Sequence, residues 1–523
     1  MVRTDKNHVK NPQFTDKFNE VESRSTPKSY LFDPLPKLTE SSPITRYYHF
    51  ELEIVKLSPD GFERPVWSVN GQYPGPLIQA NKGDRLVINV TNNFGDPASI
   101  HWHGIFQRET NWYDGMSGQT QCPIPNRISF TYNYTVDQFG TFWYHSHFLA
   151  QYVDGFVGPL IVHDSDDPYL DSYHEDYVIT VSDWYHSPSA PLLVQRLAPH
   201  YTGFNPYPDA ALISGLGQYN CSAAPAEIQI RIINTSAYAF FTFSIDNHPL
   251  KIIKVEGTPV KNVSAATMNV LQLHIAQRYS VILTADQPID NYYIRASIID
   301  SCLLPRTNNT INYNSSINFN ATGILHYHGA DSKNPTSTAY PFTFPLCQDL
   351  NASSIRPYKD SPAPTNVTND FVFNITFARN DDDVGLLGIN NSSFMPIFNN
   401  PANQRVMLKE NYTDFDEDQN PTNHPFHLHG HAFWIIAQGP GAFLSNISTS
   451  EYDLENPVIR DTAIIPTQLI ERPTEFSNRT LPDDVRALCM QFDNYKKQKR
   501  LTTLPRDSKI KRIRMFRKVK NQF

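Results

Sequence analysis

The chain has 523 residues, a formal net charge of −8, 40% hydrophobic and 12% aromatic residues, and only 18% charged ones. With 40 Pro, 27 Tyr and 32 Phe, this is a strand-rich globular composition, long enough for about three domains; it excludes a disordered chain, a coiled coil and a collagen-like repeat. The acidic balance gives no reason to expect a nucleic-acid partner, and no stretch approaches the ~18 consecutive apolar residues of a membrane span.

Residues 1–44 are polar and aperiodic and read as a tail. Met1 to Lys10 reads MVRTDKNHVK with no apolar run behind it, so no secretory leader is expected in the chain as written. About 16 Asn-x-Ser/Thr sequons nevertheless occur, among them Asn89, Asn133, Asn220, Asn262, Asn351 and Asn446. They read either as an Asn-rich composition or, preferably, as a glycosylated protein of the secretory pathway. From Tyr47 the pattern becomes short alternating runs, YYHFELEIVKL, DRLVINVTNN, ISFTYNYTV and GTFWYHSHF, broken by Gly, Pro, Asn and Asp turns. Such runs predict a β-sandwich over 45–166. A second block, 170–330, carries DYVITVSDWY, EIQIRIIN and RYSVILTA; 331–367 is rich in Pro, Ser and Asn and reads as a linker. A third block, 368–466, holds NDFVFNITFA and HPFHLHGHAFWIIAQG, and 467–523 reads as an atypical basic tail with KKQKR and KIKRIRMFRKVK.

Histidine carries the chemistry. Random placement of 18 His in 523 positions gives roughly 0.6 His-x-His triplets. Five occur: His101/His103, His145/His147, His326/His328, His427/His429 and His429/His431. Residues two apart on a strand share a face, so each triplet offers two imidazoles to one site, and neutral imidazole is the commonest biological metal ligand. One triplet alone is an ordinary polar strand face; several in separate blocks predict a polynuclear metal site assembled between domains.

The surrounding segments IHWHGIFQRETNWYDGMSGQTQCPI, GTFWYHSHFLAQYVDGFVGPLIV and HPFHLHGHAFWIIAQG resemble three copper motifs of the multicopper oxidases, over roughly Tyr47 to Pro466. The resemblance implies an all-β fold of three consecutive cupredoxin-like Greek-key β-sandwich domains. It also implies a type 1 copper that accepts electrons from a reducing substrate, and a trinuclear type 2 and type 3 cluster that reduces dioxygen to water. Carried over by motif, His101 and His427 would bind the type 2 copper, and His103, His145, His147 and His429 the type 3 pair. His424 would serve the type 1 site. Asp114 in NWYDG matches a carboxylate beside the cluster thought to assist proton delivery; its plain alternative is an Asp-Gly turn residue. His431 and the His326/His328 pair match no ligand. Cys302 and Cys347 fall where related fungal laccases have a disulfide. Cys122 normally pairs with a cysteine near the C-terminus; Cys489 is the one candidate, and its setting does not match.

The family's fourth motif, His-Cys-His-Ile-x-x-His, is missing: no histidine follows His431, and Cys489 stands alone in VRALCMQF. A blue copper site needs two imidazoles and a thiolate, so the resemblance implies an incomplete cluster, an unsupported type 1 site, and an incomplete third domain. A truncated or mispredicted gene model, a degenerate paralogue that binds copper without turnover, and a structural remnant are the three explanations. FNPYPDAALISGLGQY and QRETNWYDG resemble laccase versions of their segments, so the expected reaction is one-electron oxidation of a small phenol-like substrate by dioxygen. Iron(II) oxidation is the alternative, with Asp209 in a suitable region. In IINTSAYAFFTF, where laccases often place a substrate-binding acid, this chain has Tyr238 or a neighbour.

Overall fold

The computed structural model describes residues 33–38, 43–201, 205–223, 227–262, 268–303, 318–341, 347–365, 375–379, 383–389, 398, 424–438, 452–465 and 482–498. The protein is nearly all β, as its alternating runs predict. In the first domain, β1 (Thr45–Leu57), β2 (Arg64–Val69), β4 (Arg85–Asn92) and β6 (Ser129–Thr135) form one sheet in the order β2-β1-β4-β6. The second sheet is β3 (Ile78–Asn81), β8 (Val157–His163), β7 (Gly140–Ser146) and β5 (Ile100–His103), in the order β3-β8-β7-β5.

Period-two alternation explains the packing. Along β4, Leu86, Ile88 and Val90 are buried while Arg85 is exposed; along β6, Phe130, Tyr132 and Tyr134 point inward. The strands β5 and β7 are different, because both of their faces are covered. Ile100, Trp102, Phe142 and Tyr144 fill the first-domain core, which leaves His101, His103, Trp143 and His145 on the opposite face. A strand buried on both sides can carry polar residues only where something satisfies them.

In the second domain a seven-stranded sheet runs Ala210–Ile213, Glu175–Trp184, Glu227–Asn234, Arg278–Thr284, Leu250–Val255, Thr258–Asn262, Ile355–Pro357. It packs on a five-stranded sheet of Gln218–Ala223, Asn320–Tyr327, Asn291–Ile298, Phe241–Ile245 and Leu271–Leu273. The last strand of the larger sheet, Ile355–Pro357, comes from the segment that reads as a linker. Its Ile355 is buried in the second-domain core, and Cys347 of the same segment is bonded to Cys302. Pro and Ser richness marks a polar stretch there and says nothing about its pairing partner.

The described strands of the third domain are three two-stranded pairs: Ile375–Arg379 with Gly385–Ile389, His424–His427 with Thr462–Ile465, and Phe433–Trp434 with Ile459–Arg460. Beyond them, within the segment that reads as a basic tail, Asp483–Gln498 forms an α-helix. Val485, Leu488 and Phe492, at the i, i+3, i+7 spacing of one helix face, are buried in the first-domain core, and Cys489 is bonded to Cys122. The tail thus returns to the beginning of the fold.

A buried polar network at the second-domain sheet reaches across to the first domain through Thr141 and Asp167. The Arg231 guanidinium donates to both Asp176 oxygens and to Thr141 Oγ1 of β7, and Lys254 bonds Asp167 and Gln229. Beside them His163, at the end of β8, is held down to about 4 by burial and by the Arg231 charge, and its Nε2 lies 3.3 Å from Gln79 Oε1. An unfolded histidine titrates near 6.5, so the unfolded chain binds more protons between pH ~6.5 and ~4. Stability contributed by neutral His163 is complete above that window and falls by up to about 3 kcal/mol as pH drops through it. Urea midpoints measured from pH 7 to pH 4 should therefore decline less steeply in His163→Gln; parallel curves would remove His163 as a cause.

Candidate metal centre

The antiparallel register of β5 and β7 sets His101 directly opposite His145, and His103 opposite Trp143. His147 follows β7, with its N–H donating to the Ser99 carbonyl. From the third domain, His427 sits opposite Thr462 in its strand pair, and His429 lies in the turn beyond it. These six imidazoles converge. Ring centroids are 3.6 Å apart for His103 and His427, 3.9 Å for His101 and His429, 5.2 Å for His101 and His145, and 5.2 Å for His147 and His429. The donor nitrogens of His101, His103 and His145 lie within 4.8 Å of one another, as do those of His101, His427 and His429.

The hydrogen bonds decide which nitrogen faces the centre. A carbonyl only accepts, so His101 donates from Nδ1 to the Asp114 carbonyl at 2.9 Å, and His427 donates from Nδ1 to the Asp461 carbonyl at 2.8 Å. His145 donates from Nδ1 to the Ser146 carbonyl at 2.9 Å. His103 is turned the other way, with Nε2 3.1 Å from Thr462 Oγ1. The Nε2 atoms of His101 and His427 are buried and have no hydrogen-bond partner. A buried imidazole nitrogen with a free lone pair costs stability unless something else takes that pair. Two of them facing one space, each fixed by a carbonyl on its other nitrogen, fit a metal held by neutral imidazoles.

Burial favours the neutral form of five of these histidines. It lowers His101, His103, His145 and His427, with neighbouring imidazoles adding to the effect, and takes His147 to about 3. Unprotonated imidazole is the ligating form, so metal binding would not have to expel protons near neutral pH.

Asp114 is the carboxylate of the centre. The 3-10 turn Asn111–Tyr113 delivers it, and Gly115 follows at φ +86°. A Cβ on Gly115 would stand 1.6 Å from the Ile100 carbonyl oxygen, so only glycine lets this turn lie against β5. The Asp114 Oδ2 accepts from His429 Nδ1 at 2.8 Å, and Oδ1 lies 3.2 Å from His101 Nδ1. Burial alone would raise this carboxyl, but the two histidines reverse the effect and hold it well below the usual range.

Three residues at the centre escaped sequence reading. Thr462 stands opposite His427 at the start of its strand with Asp461 just before it, and Arg278 reaches in from the second domain to grip both Asp461 oxygens at 2.6 and 2.5 Å. Asp461 Oδ1 is 3.8 Å from His103 Nε2 and 3.7 Å from His427 Nδ1, close enough to suggest a ligand. The Arg278 fork and the Thr462 hydroxyl at 2.9 Å already occupy it, so Asp461 is a strut and not a free donor. The charged pair in the otherwise apolar run VIRDTAII was the available signal. Of the other candidates, His424 begins the strand opposite Ile465, and its side chain lies outside the described residues. His326 donates from Nδ1 to Asn291 Oδ1 on the second domain, His328 is exposed there, and His431 is exposed; none joins the cluster.

Likeness to known proteins identifies the family. Family models described as multicopper oxidase match residues 51–167, 175–330 and 365–469. A laccase of Thanatephorus cucumeris, Laccase-4, is 36% identical over 429 residues, covering 75% of this chain and 78% of that one. A laccase of Phlebia radiata is 36% identical over 475 residues, covering 82% and 83%. Among solved structures, the laccase from Botrytis aclada superimposes with a TM-score of 0.74 at 29% identity, covering 87% of this chain and 93% of that one. Fet3p, described as a multicopper oxidase that functions in iron import, has a TM-score of 0.71 at 26% identity, covering 81% and 84%. Three matched segments and relatives spanned over more than two thirds of their length leave one assignment: the chain is a laccase-like member of the multicopper oxidase family, by family a copper-dependent oxidoreductase of cupredoxin-like domains.

Proposed function

We propose that His101 and His427 hold a type 2 copper, that His103, His145, His147 and His429 hold what this chain keeps of a type 3 pair, and that the polypeptide as written binds copper without laccase turnover. The supporting observation is the convergence of six imidazoles from two domains, with the Nε2 atoms of His101 and His427 buried and unpartnered. Copper bound there would supply the one-electron steps that join oxidation of a reducing substrate to reduction of dioxygen. The chain's own residues do the rest. The Asp114 and Asp461 carbonyls aim two imidazoles, Thr462 turns a third, and Asp114 is the acid group within reach of the cluster that can carry a proton.

The missing turnover follows from the thiolate. His424 would be a type 1 ligand, but Cys489 is bonded to Cys122, and no histidine follows His431. Without a cysteine beside two imidazoles there is no thiolate-to-copper charge transfer and no route for electrons toward the cluster. Of the reducing substrates, a phenol-like molecule is favoured over iron(II), because Asp209, the carboxylate in a suitable region for iron, is committed to the His186 backbone N–H at 2.7 Å. The sequons support a location in the secretory pathway.

Copper(II) loading tests this reading. The loaded chain should give an ordinary type 2 paramagnetic signal, no intense blue band, and negligible oxygen uptake with phenols. His101→Ala combined with His427→Ala should abolish the signal. A blue preparation that oxidises phenols would overturn the proposal.

A further inference from the structure

A sequon identifies an acceptor only in principle; the fold decides which Asn can carry a sugar. Asn234, in Asn234-Thr235-Ser236, is fully buried, and its Nδ2 donates to the Ala239 and Leu273 carbonyls at 3.1 Å each. A glycan there is incompatible with the second-domain core. Asn89 spends its Nδ2 on Thr131 Oγ1 at 2.9 Å, and the hydroxyl of its sequon, Thr91, lies 2.9 Å from Ser129 Oγ. Asn351-Ala352-Ser353 differs from both. Asn351 and Ser353 are exposed, and the Asn351 Oδ1 accepts from the Ser353 N–H at 3.0 Å and from the Ser353 hydroxyl at 2.9 Å.

We propose that Asn351 is an N-glycosylation site of this protein. Two donors on one amide oxygen draw electron density from the carbonyl and favour the imidate-like form, in which the nitrogen is the better nucleophile. The motif spans only three residues, so it needs no tertiary structure and can form in a chain that has not yet folded, when sugar is transferred. Once folded, the turn keeps Asn351 at the surface while the next strand, from Ile355, enters the seven-stranded sheet. In the transfer, Asn351 Nδ2 forms a bond to the anomeric carbon of an oligosaccharide carried on a lipid diphosphate. The bond from that carbon to the phosphate oxygen breaks, the lipid diphosphate leaves with the electron pair, and the proton lost by the amide nitrogen passes to solvent water. None of this depends on copper.

The test is to direct the full chain into a yeast secretory pathway and map peptides from microsomes and medium alike after enzymatic sugar release, which converts an occupied Asn to Asp. Asn351 should be found converted and Asn234 not. Asn351→Gln and Ser353→Ala should each increase gel mobility by one glycan, and Ser353→Thr should restore the slower form. An unconverted Asn351 beside other occupied sequons, or retention of the sugar in Ser353→Ala, would overturn the assignment. Copper loading of the Asn351→Gln variant should match that of the parent chain, which keeps this result separate from the reading of the metal centre.

Discussion

Arg278→Met should destabilise the folded chain by about 3–5 kcal/mol, the range for breaking a buried ion pair from one side. Arg278 is completely buried, and its guanidinium meets groups from all three domains: the Asp461 carboxylate, the Thr141 carbonyl at 2.9 Å and the Ala276 carbonyl at 3.2 Å. Burial alone would raise the Asp461 carboxyl, and Arg278 is the main influence holding it down. Removing the cation strands a carboxylate among His103, His427 and Thr462. Asp461→Leu added to Arg278→Met should recover part of the loss, because the unpaired charge, more than the lost attraction, sets the penalty. Urea denaturation of the parent, single and double variants checks this. Equal destabilisation of the single and double variants would refute the charge argument. The single variant should also change the type 2 copper signal, since the Asp461 carbonyl orients His427.

Leu488→Ala should cost about 2–5 kcal/mol, as expected for a large-to-small change in a packed core, and Cys489→Ser a comparable about 2–5 kcal/mol. Both losses would register in the first domain, far away in sequence. Leu488 packs in the cluster that holds Leu86, Ile88 and Phe130, and the Cys122–Cys489 bond joins positions 367 residues apart. Tyr113 adds a bond from its hydroxyl to Asp484 Oδ2 at 2.9 Å, which ties the helix to the turn that presents Asp114. Calorimetry of the two variants should show the first-domain transition lowered. A transition that stays in place would mean the helix rests on a core already complete without it.

How much of this was legible in the sequence depends on the range of the interaction. The faces of β5 and β7 were readable, because period-two alternation is local: His101 and His103 must share a side, as must His145 and His147. The pairing of His101 with His145, and the approach of His427, depend on register and domain docking, which no short window encodes. Asp461 was hidden for the same reason, 34 positions beyond His427 with nothing local to connect them. The helix Asp483–Gln498 failed differently. Its apolar spacing at Val485, Leu488 and Phe492 is plain, but the surrounding Lys and Arg drew the reading toward a solvated tail. Cys489, judged by its neighbours in sequence, lacked a family setting; judged by its neighbours in space, it has the partner expected of Cys122.

The disulfide and the helix together turn the polypeptide into a closed circuit. Ile465 is fastened to the third domain through its pairing opposite His424, and sixteen residues separate it from Pro482, where the helix anchored to the first domain begins. An insertion between two moored points leaves both moorings in place, and for a flexible connection each doubling of length costs only about 0.6 kcal/mol in closure entropy. That stretch is therefore the natural graft site for a segment bearing the absent His-Cys-His motif. The scaffold on either side would accept new chain length far more readily than it would accept a change in sequence at Cys122, Leu488 or Asp461.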